Sequence, residues 1–185
     1  MFFWMHDRGI DTMTDLLLLD SNLFQAIKAA PATPPALLWL AIVIAKIPIY
    51  LIPAGMVALW LRNAPRDREL ALRTFAALVL TIASSFLIGE IWMRPRPFLD
   101  GLGPAWMPHR DSPSFPSNHA SIMMASAFCL WYAGRRATAL AWGWVTLFVS
   151  LARIYLGVHY PLDIVAGWLL GAATATIAWR VPRRN

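Results

Sequence analysis

Residues 113–120 read Pro-Ser-Phe-Pro-Ser-Asn-His-Ala, with an Arg/Pro-rich loop upstream and an apolar run starting at once downstream. Proline resists continuation of an earlier helix and Ser117 is a good N-cap, so the stretch marks a helix start. The backbone N–H groups of Asn118 and His119 then fall in a first turn, where an anion is favoured. A histidine in that turn can give a proton to the anion. By itself the octet fits an ordinary capped helix equally well, and the rest of the chain decides between the two.

The surrounding chain is strongly apolar. Its 185 residues are 58% hydrophobic with ten tryptophans, which suits a membrane protein better than a soluble domain of this length. No polar or low-complexity linker divides it, so one domain over 1–185 is expected. The net charge of +6 comes from arginines clustered between apolar runs. That is a pattern of topology signals and not a nucleic-acid-binding face, so no nucleic-acid partner is expected. The single cysteine, Cys129, lies in an apolar run, which leaves no intrachain disulfide and no cysteine metal cluster. The start of the chain lacks the basic region and long apolar core of a cleavable signal peptide.

Downstream of the octet, a span over 118–134 ends at Gly134 with Arg135 and Arg136 behind it. A span over 137–156 carries Arg153 near its end, and the connection Gly157-Val-His-Tyr-Pro161 leads to a last span over 162–179, closed by Arg180, Arg183 and Arg184. Gly167 and Gly171, four apart, offer a close helix-packing face there, or simply lack bulk. Upstream, 36–61 and 70–92 are each long enough for a bilayer, which needs about 20 apolar residues. Pro48 and Pro53 bend the first of these. Lys46 in its middle is expected to face the bundle interior, and Glu90 is read as a buried-position acid near the end of the second. A buried Lys46–Glu90 ion pair is one use for them. In 13–29, Leu16, Leu19, Leu23 and Ile27 recur at helical spacing against Asp15, Ser21, Asn22 and Lys28, the pattern of an amphipathic helix on the membrane surface. The fold class is therefore all-α: a polytopic membrane helix bundle of five spans plus an N-terminal interfacial amphipathic helix.

With five spans, the Arg-rich stretches 62–73, 135–136 and 180–184 share one side, which the positive-inside rule makes cytoplasmic. The loop 93–117 and the turn 157–161 share the other. Arg94 and Arg96, Ser117–His119, and Arg153 to Asp163 then meet at the outer face. Guanidinium forks at Arg96 and Arg153, with Arg94 beside them, suit bidentate contact with phosphate oxygens. Ser117 and the N–H groups of Asn118 and His119 add neutral donors. Pro161 is a good first helical residue, so Asp163 lies in the first turn of its helix and can fold back on His159. A carboxylate on one ring nitrogen fixes the tautomer and makes the other nitrogen a better nucleophile. The set has one economical use: His159 attacks phosphorus, His119 acts as general acid, and the cations stabilise the equatorial oxygens. No carboxylate cluster suits Mg²⁺ or Zn²⁺, so no metal and no cofactor is expected. His109 and His6 are read as surface residues, and Trp60, Trp92 and Trp179 as membrane-interface anchors. Met123, Met124 and Cys129 are read as packing.

On these residues the chain resembles the type 2 phosphatidic acid phosphatase superfamily, whose motifs run K-x6-R-P, P-S-G-H and S-R-x5-H-x3-D. The second motif stands as Pro116-Ser117-Asn118-His119, with Asn for Gly. The third stands as Ala152-Arg153, then His159 and Asp163 at the family spacing, with Ala for Ser. The first keeps Arg96-Pro97, but its lysine position is Gly89, and Lys46 is the candidate to take over that lysine's work. The Arg-Pro-Arg-Pro-Phe and Ser-Phe-Pro-Ser-x-His-Ala wording resembles the bacitracin-resistance type of undecaprenyl pyrophosphate phosphatase. That resemblance implies a metal-independent lipid phosphatase of the bacterial cytoplasmic (inner) membrane, with its site on the periplasmic, extracytoplasmic face. Its partners would be a lipid phosphate substrate in the bilayer and the membrane lipids; the sequence sets no oligomeric state. Phosphatases of phosphatidate or phosphatidylglycerophosphate share the motif logic, as does a vanadate haloperoxidase, and a lipid carrier or flippase is the non-enzymatic alternative.

Overall fold

The computed structural model describes residues 7–182, with side chains from Thr12 onward; His6, Arg183 and Arg184 lie outside the described residues. The described residues form helices, turns and loops, with no strand among them. The helices are α1 (Asp7–Ile27), α2 (Pro35–Lys46), α3 (Leu51–Leu61), α4 (Pro65–Ile91), α5 (Asn118–Tyr132), α6 (Arg136–Tyr155) and α7 (Pro161–Arg180). Prolines at Pro35, Pro65 and Pro161 open three of them, where a missing N–H is harmless and the fixed φ is already helical.

The expected 36–61 helix is more than bent. The α-helix stops at Lys46, passes through a 3₁₀ turn over Pro48–Tyr50 and resumes at Leu51. Pro48 has no N–H for the ladder and its ring crowds the carbonyl four residues back. Pro53 falls in the first turn of α3, where it is tolerated.

Four segments are long and apolar enough to cross a membrane: Pro35–Leu61, Pro65–Ile91, Arg136–Tyr155 and Pro161–Arg180. Their outward residues, such as Leu72, Phe75, Val79, Ile82 and Phe86 on α4, are large, apolar and exposed. A soluble surface would not carry such a belt; a bilayer requires it. The chain is a multi-pass membrane protein.

The 15-residue α5 is the middle of the bundle, packed against α4, α6 and α7. Its buried face is Ala120, Ser121, Met123, Ala125, Ser126, Ala127 and Cys129, mostly small residues that let neighbouring backbones approach. Gly167 and Gly171 are where α7 meets it. A Cβ on Gly167 would lie 2.8 Å from the Ser117 carbonyl oxygen, and one on Gly171 would lie 2.8 Å from the Ala125 nitrogen. Close packing, and not mere lack of bulk, is what these glycines provide. Two polar contacts cross the bundle: Thr81 pairs with Thr174 at 2.6 Å, and the Trp142 indole donates to Ser126 Oγ at 2.7 Å.

The arginine-rich turns gather at one end. Arg62 lies 3.1 Å from Asp67, Arg135 also pairs with Asp67, and Arg73 donates to the Trp179 carbonyl at 2.8 Å. The loop 93–117 and the turn after α6 close the other end, and α5 runs between the two. Because the Gly171 contact is with backbone atoms that cannot rotate away, Gly171→Ala should cost about 1–3 kcal/mol through overpacking. A lower melting midpoint in detergent checks this, with Gly143→Ala, which meets open space, as the unaffected control.

Candidate active site

The last turn of α6 carries Arg153, and the connection behind it turns back at Gly157. Gly157 has φ +80°, and a Cβ there would sit 2.6 Å from the Pro104 carbonyl oxygen, so only glycine meets both demands. The turn presents His159. Pro161 then opens α7 and puts Asp163 in its first turn, where the carboxylate accepts the Tyr160 N–H at 2.8 Å. The Asp163 carbonyl accepts the Ser117 N–H at 2.9 Å, joining the starts of α5 and α7. The Arg153–Asp163 stretch and the octet are thus one unit in space.

His159 is 2% exposed. Its Nδ1 lies 3.5 Å from Asp163 Oδ2, at the long edge of hydrogen-bond range. Its Nε2 faces guanidinium nitrogens of Arg96 at 3.3 Å and Arg153 at 3.4 Å. Guanidinium can only donate, so the partners assign the lone pair to Nε2 and the proton to Nδ1. Nε2 is then the ring nitrogen whose lone pair faces the two guanidinium groups. Burial pushes the imidazole down to about 3; Asp163 opposes that fall, while Arg153 and Arg96 add to it. Burial therefore holds the ring neutral at neutral pH.

Arg96 is 4% exposed, and the rest of its guanidinium is taken by the Ser112, Pro113 and Val158 carbonyls at 2.9, 3.0 and 2.8 Å. Burial lowers it to about 10, with Asp163 acting the other way, so it remains a cation. Arg153 is 2% exposed. Among the described residues, four buried side-chain polar atoms have no hydrogen-bond partner, and three of them are here: Ser117 Oγ, Arg153 Nε and His159 Nδ1. Each such group costs about 1–3 kcal/mol. Their concentration at one place marks a site built for a polar ligand.

Ser117 holds the N-cap position as expected, but its hydroxyl makes no capping bond. Its carbonyl instead accepts from Ser121 N–H and Ser121 Oγ, both at 2.9 Å. His119 is half-buried in the first turn of α5, within electrostatic reach of Arg153, His159, His109 and Arg96; Asn118 is exposed beside it.

Four expectations change. Arg94, expected among the phosphate ligands, gives its terminal nitrogens to Asp163 at 2.8 Å and Asp20 at 2.5 Å, and lies over the Tyr160 ring at 4.0 Å. Both terminal nitrogens of that fork are held by carboxylates. Glu90 is exposed, not buried, and no ion pair joins it to Lys46. Lys46 is half-buried, and its charge reaches His109. His109, read as a surface residue, is at the site: its Nε2 lies 3.1 Å from Arg153, and its ring stands edge-on to His159 at 6.1 Å between centroids. A long loop folded that histidine inward, which no spacing rule could indicate. Sequence reading also passed over Ser114, whose buried hydroxyl donates to Asp163 Oδ2, and Asp20. Ser114 lies inside the octet, a signal that could have found it. At Gly89, a Cβ would meet the Phe115 carbonyl and Pro113 at 3.5 Å, so the first-motif lysine position abuts the octet itself. No group of three or more His, Cys, Asp or Glu among the described residues is placed to hold a metal ion.

A family model described as PAP2 superfamily matches residues 70–185. YbjG of Escherichia coli (strain K12), whose name assigns it provisionally as an undecaprenyl-diphosphatase, is 34% identical over 88% of this chain and 83% of its own length. The bacitracin transport permease protein BcrC of Bacillus licheniformis is 28% identical over 76% of this chain and 70% of its own. The crystal structure of LpxE from Aquifex aeolicus superposes with a TM-score of 0.66 at 24% identity, over 86% of this chain and 94% of that one, a likeness of fold.

His159 also fixes a pH dependence. Its folded value lies below the unfolded one of about 6.5, so the unfolded chain binds the extra proton between the two. The stability this contributes is complete above the unfolded value and is lost as pH falls towards about 3. The melting midpoint of the ligand-free protein should drop as the buffer is taken from about pH 7 to about pH 5, and drop less in His159→Gln. Parallel curves for the two proteins would contradict the assignment of His159 as a buried neutral ring.

Proposed function

The chain belongs to the PAP2 superfamily and is a membrane hydrolase of the lipid-phosphatase type, and on that premise we propose that it converts undecaprenyl diphosphate, or a related polyprenyl diphosphate, to the monophosphate and inorganic phosphate through a phosphohistidine. The observation that carries this reading is the placement of His159, with a carboxylate on Nδ1 and two guanidinium groups at Nε2.

Nε2 of His159 attacks the terminal phosphorus; a P–N bond forms and the P–O bond to the bridging oxygen breaks. Asp163 stabilises the imidazolium that develops. Arg153 and Arg96, with the Ser117 hydroxyl and the N–H groups of Asn118 and His119 at the start of α5, hold the equatorial oxygens, the contribution that dominates in phosphoryl transfer. His119 takes up a proton as the arriving phosphate's negative charge offsets the surrounding cations, and donates it to the departing lipid phosphate. It then takes a proton from the water that breaks the P–N bond and releases phosphate. His109, bonded to Arg153, lines the same space.

The proposed topology is one domain of five spans, with α5 as the shielded fifth. α1 lies at the interface, with Leu16, Leu17, Leu18, Leu19 and Leu23 exposed along it. The arginine-rich end faces the cytoplasm and the site faces outward from the bacterial inner membrane. This places hydrolysis where a cell-wall lipid carrier would be recycled.

Purified protein in detergent with EDTA, offered a panel of polyprenyl diphosphates, phosphatidate and phosphatidylglycerophosphate, should release phosphate fastest from the diphosphates. His159→Ala should abolish release. His119→Asn should cost far more on the monoesters, whose alkoxide leaving group needs the proton most. A transport permease name among the relatives raises a second reading, a carrier without chemistry. Absence of phosphate release from every lipid would favour it. The lysine question has its own measurement: if Lys46 replaces the lysine absent at Gly89, Lys46→Met should lower turnover strongly in folded protein.

A further inference from the structure

Asp20 belongs to no motif and lies upstream of the 70–185 stretch that the family shares. It is nonetheless among the most buried polar residues of the protein, at 2% exposure, on a helix whose neighbouring residues 12–19 are all exposed. A buried carboxylate is costly unless it is paired and hydrogen-bonded. Asp20 is both. Its Oδ2 lies 2.5 Å from Arg94, and its Oδ1 accepts the backbone N–H of Leu162 at 2.8 Å. Arg94 in turn lies 2.8 Å from Asp163 Oδ1, while Asp163 Oδ2 faces His159 Nδ1 at 3.5 Å. One guanidinium thus stands between two buried carboxylates, and the second carboxylate is the one that faces the nucleophile.

We propose that Asp20, on the N-terminal helix, is a positioning residue for His159, acting through Arg94 and Asp163. The inference rests on the phosphohistidine reading above. Charge arithmetic supplies the reason. A guanidinium paired with Asp163 alone would neutralise it and weaken its pull on the His159 Nδ1–H. Asp20 draws on the same guanidinium, so the row of three groups keeps a net negative charge next to the imidazole. The tether to Leu162, the residue before Asp163, fixes the same turn through the backbone. Other contacts seat α1 there as well: the Phe24 ring meets Tyr160 at 5.4 Å, Lys28 donates to the Leu102 carbonyl, and Ala29 N–H donates to the Tyr155 carbonyl at 2.8 Å. The groups facing His159 from the other elements are Arg96 in the loop, Arg153 on α6, His109 and His119. Each is cationic or neutral, so the negative charge at the imidazole comes from Asp163 as set by Arg94 and Asp20.

The test compares Asp20→Asn, Asp163→Asn and the double variant in phosphate release from a polyprenyl diphosphate in detergent. Asp20→Asn keeps the shape and an acceptor for Leu162. It should lower kcat about 10–100-fold, as for groups that orient a reacting residue through another, with KM little changed. In the Asp163→Asn background it should add nothing, because the path to His159 is already cut. An unchanged kcat in Asp20→Asn, or losses that multiply in the double variant, would overturn the proposal. A readout independent of turnover is the ¹⁵N signal of His159 Nδ1, assigned by its loss in His159→Gln. It should move in Asp20→Asn and stay in Asp15→Asn, an exposed acid of the same helix; equal signals in wild type and Asp20→Asn count against it. If wild type releases no phosphate while that signal still moves, the phosphatase reading fails and the positioning stands. Should Asp20→Asn not fold, Arg94→Lys, a cation that cannot fork to both carboxylates, must lower kcat and shift the same signal, and normal values for both reject the idea.

Discussion

The buried carboxylate of Asp163 ties together more separate parts of the chain than its own helix. Its side chain accepts the Tyr160 N–H, the Ser114 hydroxyl and Arg94, and faces the ring of His159. Its own carbonyl holds the Ser117 N–H. A buried carboxylate can persist only when nearly all its lone pairs are met, so each partner is a condition on the others. Through this one residue the start of α5, the start of α7, the loop 93–117 and the N-terminal helix are held to a common geometry.

The packing of the bundle serves that arrangement. Small residues on α5 and Gly167 and Gly171 on α7 bring the two backbones close enough for Ser117 and Asp163 to bond directly. Apolar attraction between helices is weak in lipid, so close contact and buried hydroxyl pairs supply the register. The polar site closes one end of the bundle, and Arg62 and Arg135, both paired with Asp67, stand at the opposite end.

Electrostatics divides the site into two zones around one ring. The Nδ1 side is negative, with Asp163 and Asp20 sharing the one guanidinium of Arg94; the Nε2 side is positive, with Arg96 and Arg153. That polarity is what the proposed attack on a phosphate asks for, because negative charge is attracted to the side where the lone pair lies. The arginines also push the ring towards its neutral form.

Much of this was legible in the sequence. Apolar runs of bilayer length, prolines at helix starts and arginines between runs are local signals, and they set the helical class, the ends of the last three helices to within two residues and the grouping of the arginine turns at one end; the starts of α1 and α4 and the break at Pro48 were not set by them. The spacing of Arg153, His159 and Asp163 is local too, since a helix end and a four-residue turn determine where those side chains go. The partners of Arg94, the inward turn of His109, the exposure of Glu90 and the use of Asp20 are not local. They depend on how a 25-residue loop and an N-terminal helix fold over the end of the bundle, across separations of up to 142 residues. A charged residue in a sequence carries the same charge whether it meets water, a phosphate or a carboxylate. Only the tertiary structure chooses among them, because the cost of burial forces each charge to the partner that packing brings within reach.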